Sequence, residues 1–308
     1  MPFDISYEEI CSKFDRLISN GIIQYQPSHP VLVTDNGMTF CFTVVEALKE
    51  KPQAGEAFKS AQSNLGDGTD AQPETFGPGS DLAFDHPDIC ITRVNETHFL
   101  VINKFPVYRP MLLLLTIDSY RRQFELLNAE DIEAAWNLVC GLDVEHFAFF
   151  NCTVTAGSSR AHKHLQVIPA PGANDGYADG FRFFPDYDPG PQEGGPSCVY
   201  FLQRFEDPPE GQVKTSQQLM ETYLRLLQQT REALNIKDGQ CPHNWILTKR
   251  WMMIIPRRNR DYKGLSGNAP GMIGSVYVSN QSEFDAWKEA GPQRVLAGLG
   301  LPRADSES

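Results

Sequence analysis

Two nearly continuous apolar segments, His243 to Thr248 and Trp251 to Pro256, are separated only by Lys249 and Arg250. A two-residue polar break between apolar runs is the mark of a tight hairpin, whose strands must pair antiparallel. Thr97 to Ile102, Met111 to Ile117, Phe147 to Asn151, His162 to Ile168 and Val199 to Arg204 are further strand-like segments. Helical stripes stand among them. Ser6 and Glu9 form a capping box ahead of Ile10, Phe14, Leu17 and Ile18, and Gly21 closes that helix. Asn128 precedes a second helix, Ala129 to Cys140, with Ile132, Ala135, Trp136 and Val139 on one face and Gly141 after it. The longest helix runs from Ser216 to Leu234. Hairpins interspersed with helices favour an α+β class over a doubly wound parallel sheet.

Length and charge narrow the field. A chain of 308 residues has room for one large domain or two ordinary ones, and buries about 75% of its unfolded surface without staples. The net charge of −12 argues against a nucleic-acid coat or an anionic-membrane binder, both of which need a basic surface. It leaves room for a small anion in a locally basic pocket. The richest apolar run, Met111 to Leu115, is far short of the about 20 residues of a membrane span and reads as a buried strand. Met1-Pro2-Phe3-Asp4 has neither a charged start nor a signal core. The 7 cysteines are scattered and never form CxxC, which suits reduced thiols in a cytoplasmic or nuclear protein. Residues 52–82 and 171–197 are crowded with Gly, Pro and Asp. The first reads as a mobile surface loop, the second as a boundary or a long excursion.

The stretch that carries chemistry is Asn151 to Gln166. If His162 to Gln166 is extended, alternation puts His162, His164 and Gln166 on one face, with Lys163 and Leu165 opposite. Neighbours on that face stand about 6.6 Å apart. Just upstream, Gly157, Ser158, Ser159 and Arg160 supply a flexible turn, two hydroxyls, backbone donors and a cation, which is what a phosphate group needs. An imidazole is unprotonated near neutral pH, attacks phosphorus, and leaves again from a labile phosphoramidate. A histidine beside a phosphate cradle therefore suggests covalent nucleotidyl transfer. A metal site on the His-x-His pair and a pair of structural histidines are the competing readings.

His-x-His-x-Gln resembles the active-site strand of the histidine triad (HIT-like) superfamily, in the branch where Gln replaces the third His. That branch holds the galactose-1-phosphate uridylyltransferases and the diadenosine tetraphosphate phosphorylases, also called ATP adenylyltransferases. Asn103-Lys104-Phe105-Pro106-Val107, Phe150-Asn151 with Gly157-Ser158-Ser159 and His162 to Gln166, and Asn244 to Arg257 are similar to three elements of the phosphorylases. Lys51-Pro52 is similar to a fourth.

The resemblance implies an antiparallel HIT-like sheet with flanking helices, an N-terminal catalytic region over 1–190, and a C-terminal region over 191–308 completing the same unit. It implies that His164 attacks the α-phosphorus of a dinucleoside polyphosphate and expels ATP, and that phosphate then removes the nucleotide as ADP. Gln166 is expected on the phosphoryl oxygens, and His162 is expected to orient the strand. Lys51, Asn103, Lys104, Asn151, Gly157, Ser158, Ser159 and Arg160 are expected to bind substrate, with Ser266, Gly267, Asn268 and Met272 as further contacts. A divalent cation, Mg2+, is expected to arrive with the substrate, with no prosthetic group and no metal held by the protein. Hydrolysis, sugar-1-phosphate transfer and silent nucleotide binding are the alternatives. Val276 stands where the family carries a lysine, which implies a lost cation. The run Arg257-Arg258-Asn259-Arg260 reads as an exposed basic loop.

Overall fold

A computed structural model describes residues 5–27, 29–46, 77, 79–84, 86–173, 176–187, 195–206 and 214–303. In chain order its elements begin with α1 (Tyr7–Ser19), β1 (Val31–Asp35), β2 (Met38–Val44), β3 (Cys90–Val94), β4 (His98–Ile102) and β5 (Leu112–Thr116). Next come α2 (Ala129–Gly141), β6 (His146–Cys152), β7 (His164–Pro169), β8 (Phe201–Arg204) and α3 (Ser216–Leu234). Then follow β9 (His243–Leu247), β10 (Trp251–Pro256), β11 (Asp261–Tyr262), β12 (Leu265–Ser266), α4 (Ala269–Met272), β13 (Ser275–Val278), α5 (Gln281–Ala290) and α6 (Pro292–Leu299). Lys51 and most of the 52–82 stretch lie outside the described residues.

Eight strands form one antiparallel sheet in the order β3-β4-β5-β7-β6-β9-β10-β8. The β9–β10 hairpin turns where expected, and the Thr248 hydroxyl accepts from the Arg250 and Trp251 N–H groups at 3.1 and 3.0 Å. The first helix starts as its capping box dictates: Ser6 Oγ accepts from Glu9 N–H at 3.2 Å, and the Glu9 carboxylate accepts from Ser6 N–H at 2.7 Å. Period-two alternation then sorts the sheet's side chains into two cores. Ala148, Phe150, Leu165, Val167, Trp245 and Leu247 pack with apolar residues of α2 and α3. Phe147, Phe149, Ile168, Ile246 and Met253 face the other way, against Phe40 and Phe42 of β2 and Val276 and Val278 of β13.

That second layer was not expected from the sequence. It is a three-stranded sheet ordered β1-β2-β13, in which β13 joins β2 in parallel. Its hairpin turns on Asn36-Gly37, with φ of +45° and +79°, the residue pair that a tight two-residue turn prefers. The 171–197 stretch also differs from a simple excursion, because Tyr177, Phe181 and Phe183 are buried in the second core. No helix among the described residues is long and apolar enough to cross a membrane.

Candidate active site

His164 opens β7 and is 4% exposed. Its Nδ1 lies 2.9 Å from the carbonyl oxygen of His162. A carbonyl only accepts, so Nδ1 carries the proton and the lone pair is left on Nε2. Burial pushes the pKa of this imidazole down to about 4, and it is neutral at physiological pH. A neutral ring with a fixed tautomer is a nucleophile in its reactive state.

His162 has a different place. It precedes β7 and forms an isolated antiparallel bridge with Arg122. Its Nδ1 accepts from the Asp81 N–H at 3.2 Å, and its Nε2 lies 3.0 Å from Thr116 Oγ1, whose proton goes to the Asp118 carbonyl at 3.1 Å. Burial lowers its pKa too. With both nitrogens engaged, His162 positions its neighbours and has no lone pair for a phosphate or a metal. The two imidazoles therefore do not form a chelate. Lys163 points to the opposite face, as alternation requires. Its Nζ donates to Asp131 Oδ2 at 2.6 Å and to the Leu126 carbonyl at 2.7 Å. His98 Nε2 meets the other Asp131 oxygen at 3.1 Å.

The turn ahead of β7 is built around Gly157, whose φ is +90°. Ser158 Oγ donates to the Arg160 carbonyl at 3.1 Å, while Ser159 is half-buried. Arg160 is paired with Asp81. Behind the turn lies a buried polar lattice. Asn151 Oδ1 accepts from Asn244 Nδ2 at 2.7 Å and from the Ala269 N–H at 2.9 Å. Arg257 Nη1 donates to Asn244 Oδ1 at 2.7 Å and to the Gly267 carbonyl at 2.8 Å. Asn151 thus uses its oxygen inside the protein, tying the Gly157 turn to the 267–269 segment.

Arg257 overturns its reading as part of an exposed loop. It is 1% exposed, and burial lowers its pKa to about 10. Only Arg258, Asn259 and Arg260 face solvent. The run of three arginines hid this, because the partners of Arg257 are mainly backbone carbonyls.

A cleft lies on the same sheet face as His164. Cross-strand neighbours share a face, and Leu115 opposes His164 while Leu113 opposes Gln166. Both leucines, with Val101, floor a cleft rimmed by Ser80, Asp81, Lys104 and Arg160. Gln166 is half-buried beside this floor. Asn103 is buried and accepts from the Phe105 N–H at 3.0 Å, shaping the turn that presents Lys104. An apolar floor with cations on its rim suits an aromatic base joined to phosphates.

The C-terminal contacts divide. Ser266 is exposed, Gly267 faces the Gly157 turn, and Asn268 caps α4 through Oδ1 and the Gly271 N–H at 3.3 Å. Met272 departs from the expectation of a contact: it is 0% exposed and packs in the second core. Val276 is likewise a core residue of β13, opposite Phe42. A lysine at this position would bury its charge among apolar groups, so its absence removes no cation from the cleft. Three residues that shape the site carried no assigned role in the sequence: Asp81, Asn244 and Gln123. Asn244 stood inside a recognised element, while Gln123 lies 41 residues before His164 in a polar loop with no motif around it.

Comparison with known proteins agrees with this fold. Residues 6–178 match the Ap4A phosphorylase N-terminal domain, and residues 196–302 match the ATP adenylyltransferase C-terminal domain. Protein APA1 of Saccharomyces cerevisiae is 26% identical over 334 aligned positions, spanning 100% of this chain and 97% of APA1. Diadenosine 5',5'''-P1,P4-tetraphosphate phosphorylase 2 of the same yeast is 26% identical over 210 positions, 60% of this chain and 63% of that protein. The crystal structure of yeast Ap4A phosphorylase Apa2 in complex with Ap4A superposes with a TM-score of 0.71 at 21% identity, covering 98% of this chain and 99% of the other. Apa2 alone gives 0.72 at 20% identity, over 100% and 98% of the two chains. These likenesses carry the fold, and the two domain matches carry the kinship: the chain belongs to the Ap4A phosphorylase (ATP adenylyltransferase) family.

Proposed function

We propose that this protein is a nucleotidyltransferase that cleaves diadenosine tetraphosphate with inorganic phosphate. The observation that carries the reading is the Nδ1–H···O=C bond from His164 to His162, which leaves Nε2 unprotonated beside the cleft. Nε2 attacks the α-phosphorus, forming a P–N bond while the P–O bond to the leaving triphosphate breaks and ATP departs. A phosphate oxygen then attacks the same phosphorus, the P–N bond breaks, and ADP leaves. The imidazole returns to its starting state, so the reverse direction synthesises the dinucleotide.

The nucleoside of the transferred group rests on Val101, Leu113 and Leu115. Gln166 donates its amide to the phosphoryl oxygens, and an uncharged donor there suits a transfer that spares the adduct from water. Gly157, Ser158, Ser159, Arg160, Asn103 and Lys104 hold the polyphosphate, with Ser266, Gly267 and Asn268 closing the far side. Stabilising the equatorial oxygens in this way is normally a large part of the rate enhancement. A divalent cation, Mg2+, enters bound to the substrate's phosphates. The names of the yeast relatives and the match to both family domains support the substrate class.

The test is phosphorolysis of diadenosine tetraphosphate by the purified protein, with and without phosphate, beside His164→Ala. ATP and ADP formed only with phosphate, and lost in the variant, establish the reading. AMP and ATP without phosphate make the protein a hydrolase. No product from folded protein overturns the reading in favour of sugar-1-phosphate transfer or silent binding.

A further inference from the structure

We infer that Gln123 is a positioning residue for the nucleophile: its side-chain amide takes the place of a strand partner where β6 and β7 part, and so fixes the peptide that carries His164. The inference rests on the assignment of His164 as nucleophile.

The register shows the gap that Gln123 fills. β6 and β7 pair from His146↔Pro169 to Phe149↔Gln166, and there the ladder stops. Continued by two residues, it would set Asn151 against His164. Gln123 stands between them instead. Its Oε1 accepts from the His164 N–H at 2.8 Å, and its Nε2 donates to the His164 carbonyl at 3.1 Å and to the Asn151 carbonyl at 3.2 Å. Its own backbone is bound to both sides: its N–H donates to the Ala161 carbonyl at 3.0 Å, and its carbonyl accepts from the Thr153 N–H at 3.3 Å. The side chain is 1% exposed, so water offers no substitute for these bonds.

The arrangement is suited to catalysis. A sheet amide bound to a neighbouring strand takes its orientation from the whole ladder. At the fork, β6 is turned toward β9 and the asparagine lattice, and β7 runs on toward His162. A primary amide carries one acceptor and two donors in one plane, which matches the one N–H and two carbonyls present. The His164 ring is fixed to the His162 carbonyl and its peptide to Gln123, so the direction of Nε2 is set from both ends. In-line attack on phosphorus depends on such alignment, because a misplacement of about 1 Å can cost roughly 100-fold in rate.

Gln123→Glu tests this with little change of shape. An ionised carboxyl keeps the acceptor but faces two carbonyls, whereas a protonated one restores a donor. With diadenosine tetraphosphate and phosphate as substrates, kcat of Gln123→Glu is expected to fall by about 10- to 100-fold at about pH 8.5. It is expected to recover toward wild type at about pH 6, where the introduced carboxyl is protonated in its buried site, with KM within about twofold throughout. His164, pushed down to about 4 by burial, stays neutral across this range and does not produce such a profile. Thermal melts at each pH separate loss of folded protein from loss of alignment, and Gln123→Asn, whose amide falls short of the fork, is expected to lose kcat at every pH. An active wild type with Gln123→Glu following its profile, or with the loss confined to KM, overturns the inference. An inactive wild type overturns the functional assignment on which it rests.

Discussion

Gly157 and the carbonyl oxygen of Gly267 are packed so tightly that a β-carbon on Gly157 would stand 2.9 Å from that oxygen and 3.1 Å from the Asn268 Cα. Two segments far apart in the chain thus meet backbone to backbone at the turn ahead of β7. Gly157→Ala is expected to push them apart and lower kcat/KM by about 10- to 100-fold. Gly239 has a similar positive φ of +86° but open space around it. Gly239→Ala carries about the same 1–2 kcal/mol of backbone strain and is expected to keep full activity. Steady-state kinetics and thermal melts on both variants decide the point; equal activities would show that the close approach has no bearing on the site.

Lys163 and Asp131 are an ion pair at 2.6 Å with almost no solvent exposure. Burial alone would raise the Asp131 carboxyl, but bonds from His98 and Lys163 outweigh it and hold its pKa below the ordinary value. Asp131→Ala leaves the Lys163 ammonium buried without its carboxylate and is expected to cost about 3–5 kcal/mol. Adding Lys163→Met to that variant is expected to restore part of the loss. Denaturant unfolding of both single variants and the pair reads the coupling, and strictly additive losses would contradict it.

Acid should weaken the fold before it touches the carboxylates. Burial pushes His146, His164 and His243 each down to about 4. In the unfolded chain these groups titrate near 6.5, so between about 4 and 6.5 the unfolded state holds more protons. Stability therefore rises with pH through that window, is complete above it, and is lost as pH falls toward 4. Each histidine contributes about 1.4 kcal/mol per unit of its shift. Unfolding midpoints measured from about pH 7.5 down to about 5 should fall steadily. A flat profile would mean that these rings take up protons in the folded state near their ordinary pKa.

Asp81 places a negative charge on Arg160 at the rim of the cleft. Its N–H also supports His162, but that bond belongs to the backbone and survives a change of side chain. Asp81→Asn is expected to leave the geometry in place while removing the negative charge that offsets Arg160. ATP affinity, measured by calorimetry, should tighten several-fold, equivalent to about 1 kcal/mol, and less so in high salt. An unchanged affinity would place the bound phosphates out of reach of Arg160.

Local rules made some of this fold legible in the sequence. The capping box at Ser6, the Asn128 cap and the Lys249-Arg250 turn operate over a few residues, and each element formed as its residues required. Alternation put Lys163 and Leu165 behind the sheet and His164 in front. The Asn36-Gly37 turn was equally local, and its signal was there to be read. What stayed hidden depends on long-range geometry. β13 adds to β2 only after the rest of the chain has been laid down between them. Arg257 looked like a surface cation because its partners, the carbonyls of Ala156 and Gly267, have no residue-type signature. Gln123 was silent for the same reason: two of its three bonds are to carbonyls, and the third is to an amide N–H.

The pairing of β6 with β9 joins the two halves of the main sheet. Without β9, the strands β3 to β7 would be a five-stranded half-sheet with β6 as an open edge. Phe147 and Phe149 on that strand share a core with Ile246 and Met253 of the later half. An unpaired edge of this kind invites association with other chains, and β9 covers it. Asn244, Arg257 and Gly267, all from the later half, brace the Gly157 turn. His164 therefore stands in the earlier half of the sheet while the groups that brace the neighbouring turn come from the later half, so the cleft is complete only when both halves are joined.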